Sequence, residues 1–145
     1  MDTTPIVARL GQIRTSLQRL QTLRSTTPDE FVRNYLISST AERELQVAIQ
    51  AAIDVAQIIL ADMGAPTPRD YAHVFEQLGL MKVCPPALTR RLAPMARFRN
   101  VLVNLYLEVD LTQVYETLQS DSPDLEEYAR CIADFLLTQG EPGAT

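Results

Sequence analysis

Residues 98–110 read FRNVLVNLYLEVD and set three side chains capable of chemistry, Arg99, Asn104 and Tyr106, into a segment otherwise apolar enough for a buried helix. A guanidinium binds a phosphate bidentately and stays charged at any working pH, so Arg99 suits a phosphate clamp. A carboxamide donates and accepts hydrogen bonds but exchanges no proton near neutral pH, so Asn104 can hold a phosphate or a hydroxyl without acting as acid or base. At about 100° per residue Arg99 and Tyr106 fall on nearly one face, while Asn104 stands about 140° from Arg99. The three converge only if the helix ends or loosens near Asn104, or if a second subunit supplies part of the site.

Asp54 lies in AAIDVAQII, which puts a carboxylate close to an apolar face. Burying it unpaired is costly, and a cation such as Arg99 would offset that cost. The alternative is an edge position from which Asp54 reaches water. His73 is the only imidazole, and its place near Tyr71 on a short helix suits a surface or packing role. Cys84 and Cys131 stand 47 positions apart, with no CxxC and no histidine cluster. A structural zinc needs about four ligands, so no metal and no cofactor is expected, and two reduced thiols in or near a core suit a reducing cytosol.

The net charge of -5 is unevenly spread. Residues 77–107 hold Lys82, Arg90, Arg91, Arg97 and Arg99 and no acid, whereas residues 108–145 hold nine acids against Arg130 alone. The basic segment, with Arg90, Arg91 and Arg97, can contact the phosphates of a nucleic acid, but on charge alone a solvated helix face is the favoured reading. No signal peptide is recognisable at the start, and the apolar run AIQAAIDVAQIILADMG is interrupted by Gln50, Asp54, Gln57 and Asp62, so no membrane span and a cytoplasmic protein are expected.

Helices must position these groups. Leu10, Ile13, Leu17 and Leu20 recur at steps of three and four, giving a first helix over about residues 5–24 opened by Thr4 and Pro5. Thr27, Pro28 and Glu30 form a capping pattern for a short helical turn, and Ser39 with Glu42 marks a long helix over about 40–62 that Gly64 and Pro66 end. Thr67, Pro68 and Asp70 open a shorter helix that Gly79 closes, and Pro94 should bend or step the next one. Two last helices, about 111–119 and 123–138, flank Asp121, Ser122 and Pro123. Nothing alternates with period two. The expected fold is all-α, an antiparallel four-helix-type bundle with additional short helices, as one domain over 1–139 with a flexible tail at 140–145.

The stretch FRNVLVNLY resembles the motif of the HepT branch of the HEPN domains, in which Arg, four residues, His, one residue and Tyr follow in order. Arg99, Asn100 and Tyr106 fit that pattern. AIQAAIDVAQ, DYAHVFEQLGL and LTRRLAPMARFRN resemble the family's surrounding elements, so the likeness extends over most of the chain. It implies a toxin of a toxin–antitoxin pair, a metal-independent endoribonuclease acting as a homodimer on RNA. It implies further that Arg99 and position 104 are catalytic, with Asp54 and Asn100 in support. The implied partner is an MntA-like nucleotidyltransferase antitoxin that silences the toxin by AMPylation of Tyr106.

The chain departs from the family at Asn104, where histidine would move protons near neutral pH. Acid–base catalysis is typically worth about 100- to 10,000-fold, so weak or no ribonuclease activity is expected. A naturally degenerate member and a His→Asn substitution that permits production of a toxic protein both fit. The alternative function is a nuclease-dead helical module that binds RNA or a partner.

Overall fold

A computed structural model describes residues 1–104 and 108–140 as six helices: α1 (Thr4–Leu23), α2 (Pro28–Arg33), α3 (Tyr35–Asp62), α4 (Tyr71–Leu80), α5 (Pro86–Val103) and α6 (Leu111–Gly140). Tyr106 and residues 141–145 of the expected tail lie outside the described residues. The four long helices α1, α3, α5 and α6 form the expected all-α antiparallel bundle, with α2 and α4 as the added short elements. No strand occurs among the described residues.

Helix α3 is central and touches all five others. By length and composition it could cross a membrane, but its most apolar window is largely buried inside the fold. Its small residues Ala48, Ala51, Ala52 and Ala56 are buried and let neighbouring helices approach closely. The fully buried Tyr128 of α6 uses that proximity to donate its hydroxyl to the Ala52 carbonyl at 2.9 Å. Its ring meets Phe75 of α4 edge-on at 5.7 Å. On α1 the predicted stripe holds, with Leu10, Ile13 and Leu20 buried and Leu17 partly so.

Local signals set most helix ends. The Thr27 hydroxyl accepts from the Glu30 amide at 3.2 Å, as its capping pattern requires. Helix α3 starts earlier than the expected residue 40, because the Asn34 side chain accepts from the Leu36 amide at 3.1 Å and captures a free N–H upstream of Ser39. Gly64, at φ +70°, ends α3 as predicted. Gly79 does not close α4. Lys82 takes the left-handed turn there (φ 62°), with Val83 N donating back to Leu78 O at 2.9 Å. The use of Gly79 is instead steric, since a Cβ there would stand 2.7 Å from Thr89 Oγ1 of α5. Pro94 sits on the exposed side of α5, which runs uninterrupted from Pro86 to Val103.

The largest departure from expectation is α6, one helix where two were predicted. Pro123 has no N–H, so the Gln119 carbonyl one turn earlier loses its helical donor. Arg24, just past the end of α1, supplies the substitute, with Nη2 donating to Gln119 O at 3.0 Å. The Gln119 amide returns a bond to Arg24 O at 2.7 Å, and Ser122 Oγ donates to Leu118 O at 2.7 Å. A tertiary contact thereby carries the helix through its break.

The two thiols are free, with Cys84 buried and Cys131 half-buried. Their sulfurs lie 2.9 Å apart, and Cys131 Sγ is 3.3 Å from Val83 O. One proton per thiol is satisfied if Cys131 donates to the carbonyl and Cys84 donates to Cys131. That bond and burial raise Cys84, and the same bond lowers Cys131.

Two predictions follow from α6. Arg24→Ala should destabilise the fold by roughly 1–3 kcal/mol, and by clearly less in a Pro123→Ala background that restores the missing N–H. A double-mutant cycle by urea unfolding measures the coupling. The second concerns Asp121, whose carboxyl is pushed up from 3.8 to about 6, first by burial, against an opposing bond from Ser120 and with like charge from Asp124. A raised folded value means that the stabilising protonated form is present below the unfolded value and lost as pH rises through about 6. Asp121→Asn should flatten that loss and stabilise the protein near pH 7 by on the order of 1 kcal/mol, the partial exposure of the group reducing the full effect. Thermal unfolding across pH is the check.

Candidate active site

Arg99 stands just before the last turn of α5, half-buried, and none of the carboxylates among the described residues lies in ion-pair range of it. Its Nε donates to Gln50 Oε1 at 2.6 Å and its Nη1 to Asn100 Oδ1 at 3.2 Å. The guanidinium carbon lies 5.1 Å from the centre of the Tyr71 ring, a cation–π contact from the first turn of α4. Three helices therefore hold one cation through neutral groups.

The expected direct ion pair between Asp54 and Arg99 is not formed. Asp54 Oδ2 meets Arg9 Nε of α1 at 3.4 Å, and Asp54 Oδ1 accepts from Gln50 Nε2 at 2.8 Å. Gln50 and Asp54 are four residues apart on α3 and so share a face, with Gln50 nearer α5. The carboxylate is half-buried, so both readings left open by its spacing are met in part: it is paired, and it also reaches water.

The condition for bringing position 104 towards Arg99 is met at the end of α5. The helix ends at Val103, and Asn104 is an exposed C-cap in extended conformation (φ −85°, ψ 107°), its amide donating to Val101 O at 3.4 Å. Asn100 is exposed beside Arg99.

Of the three arginines assigned to RNA, Arg91 is engaged within the chain. Its Nε meets Asp124 at 3.0 Å and its Nη2 meets Glu127 at 2.7 Å, so part of the basic segment is neutralised by the acidic one. Arg90 and Arg97, two turns apart on one stripe of α5, are exposed and make no ion pair among the described residues. His73 is occupied at the entrance of α4. Asp70 accepts from its backbone amide at 3.0 Å and from ring Nδ1 at 2.7 Å, while Arg69 meets Nε2 at 2.7 Å. Among the described residues no three His, Cys, Asp or Glu side chains are grouped to hold a metal ion.

Sequence reasoning missed Gln50, Arg9 and Tyr71. The i, i+4 spacing of Gln50 and Asp54 was the one available signal, and it could not say which helices that face would meet.

A family model described as Ribonuclease HepT-like matches residues 13–132. The chain belongs to the Ribonuclease HepT-like family. It is 29% identical over 136 residues to a tRNA nuclease HepT of Aphanizomenon flos-aquae, covering 94% of this chain and 92% of that protein. Among solved structures it resembles the tri-AMPylated HEPN toxin of Shewanella oneidensis in complex with MNT antitoxin, with TM-score 0.81, 22% identity, and 92% and 99% of the two chains covered. It also resembles the cytosolic protein YutE of Bacillus subtilis, with TM-score 0.85, 19% identity, and 100% and 98% covered. At such identities these structural likenesses bear on the fold, which they share with the bundle described above.

Proposed function

We propose that this chain is the toxin of a HepT/MntA-type toxin–antitoxin pair, a metal-independent endoribonuclease in lineage whose present sequence is catalytically impaired. The observation that carries the reading is the end of α5, where Arg99 is held by uncharged partners and the helix stops at position 104. The named activity of the Aphanizomenon relative, a tRNA nuclease, supports RNA as the substrate class.

In RNA cleavage without metal, the ribose 2′-oxygen attacks the adjacent phosphorus and the bond to the 5′-oxygen breaks, leaving a cyclic phosphate and a 5′-hydroxyl. A proton must leave the 2′-hydroxyl and another must reach the departing oxygen. Arg99 would hold the non-bridging oxygens and the charge that builds on them. Position 104 would move the protons, which an imidazole does near neutral pH and the Asn104 amide does not. Arg90 and Arg97 extend the positive surface along α5 for further phosphates, a role that Arg91 fills less well because Asp124 and Glu127 already hold it. Two copies facing each other would complete the cleft as a homodimer in the cytoplasm, where the RNA is.

The Shewanella toxin is tri-AMPylated and bound to MNT antitoxin, which supports an AMPylating nucleotidyltransferase partner here; Tyr106 as the acceptor rests on the motif resemblance alone. Phosphates added to Tyr106 within the motif would block RNA by bulk and by charge. Asn104 itself favours a second reading, a nuclease-dead module that keeps Arg99 and binds RNA or the antitoxin without cutting.

One assay separates the readings. Expressed in a heterologous bacterium, Asn104→His should arrest growth and cleave RNA at least about 100-fold faster than the present sequence, the lower end of what acid–base catalysis contributes. Growth and RNA left intact by both proteins would favour the binding module. For the modification, Tyr106→Phe should abolish AMP incorporation by the cognate nucleotidyltransferase while antitoxin binding persists, as read by intact mass and co-purification. Full labelling of that variant would move the acceptor elsewhere.

A further inference from the structure

Resting on Arg99 as the phosphate-holding cation, we infer that Gln50 is its positioning residue, a neutral spacer that fixes the guanidinium while leaving its charge free for a phosphodiester. A carboxylate accepts hydrogen bonds and cannot donate them, so the Gln50 NH₂ must face Asp54 Oδ1, at 2.8 Å. That removes the usual ambiguity of a carboxamide and turns Oε1 toward Arg99 Nε, at 2.6 Å. Asp54 therefore orients Arg99 through Gln50 and never touches it.

The charge distribution gives this arrangement its purpose. Asp54 already has a cation, Arg9, whose Nη1 is in turn anchored on Pro5 O at 3.1 Å. Every described partner of Arg99 is neutral: Gln50 at Nε, Asn100 at Nη1, and the Tyr71 ring beside the plane. A carboxylate in the place of Gln50 would bind the guanidinium more strongly and compete with the phosphate, anion against anion. A carboxamide holds the same nitrogen without that competition. With Nε on Gln50 and one N–H of Nη1 on Asn100, Nη2 and the second N–H of Nη1 remain to meet phosphate oxygens.

The test is binding of a short fluorescein-labelled single-stranded RNA to the full chain, which needs no catalysis. Gln50→Leu should weaken binding roughly tenfold, the size of one lost charge-assisted contact, with the helical circular dichroism retained. Gln50→Glu, nearly isosteric, should weaken it at neutral pH and recover as the pH is lowered through the titration of the introduced carboxyl, a profile that a merely structural role would not produce. Asp54→Asn should add little in the Gln50→Leu background, because its effect passes through Gln50. Arg99→Ala is the reference. If it leaves RNA affinity unchanged, the phosphate role of Arg99 is wrong. If it weakens binding while Gln50→Leu and Gln50→Glu bind like the parent across pH, Arg99 stands and the positioning role of Gln50 is overturned.

Discussion

Burial of α3 is the constraint on which the rest of the molecule depends. Its apolar side chains point in several directions, and the other five helices cover them, with several buried alanines among them. Apolar burial contributes about 25 cal/mol per Å², so rotating α3 to expose even one of those faces would be costly. The rotation of the helix is thereby set, and with it the direction of the polar pair Gln50 and Asp54. That pair is left facing Arg9 of α1 on one side and Arg99 of α5 on the other. The geometry around Arg99 is thus a consequence of how the core packs.

The same packing handles charge in two ways. At Asp54 a carboxylate is matched directly by Arg9, and along α5 Arg91 is matched by Asp124 and Glu127. At Arg99 the surrounding groups are neutral and the positive charge is retained. A positive group so held is what a phosphate-binding site needs. The ending of α5 at Val103 complements it, because a continuing helix would carry position 104 around to another face.

Where sequence reading failed, the cause was in most cases a partner distant in the chain. Pro123 justified a helix break, and Arg24, 99 positions earlier, removed the need for one by bonding the orphaned Gln119 carbonyl. Gly79 carried a stop signal, yet α5 passes so close to it that a side chain there would collide with Thr89, and Lys82 makes the turn instead. The start of α3 was misjudged for a local reason, since Asn34 is as good a cap as Ser39 and comes first. The direct Asp54–Arg99 pair failed because charge complementarity names compatible partners without saying what stands between them.

By itself the sequence determined the all-α class, the stripe of α1, the cap at Thr27, the end of α3 at Gly64, and the motif that carries Arg99, Asn104 and Tyr106. Those features depend on residues within a few positions of one another, where periodicity and capping act. Tertiary structure alone decided that α6 is continuous, that Arg91 is neutralised, and that Gln50 rather than Asp54 meets Arg99. Gln50 and Arg99 are 49 positions apart, and their 2.6 Å contact exists only because two helices pack at one particular rotation. Local rules cannot specify that rotation, because it follows from covering every apolar face of α3 at once.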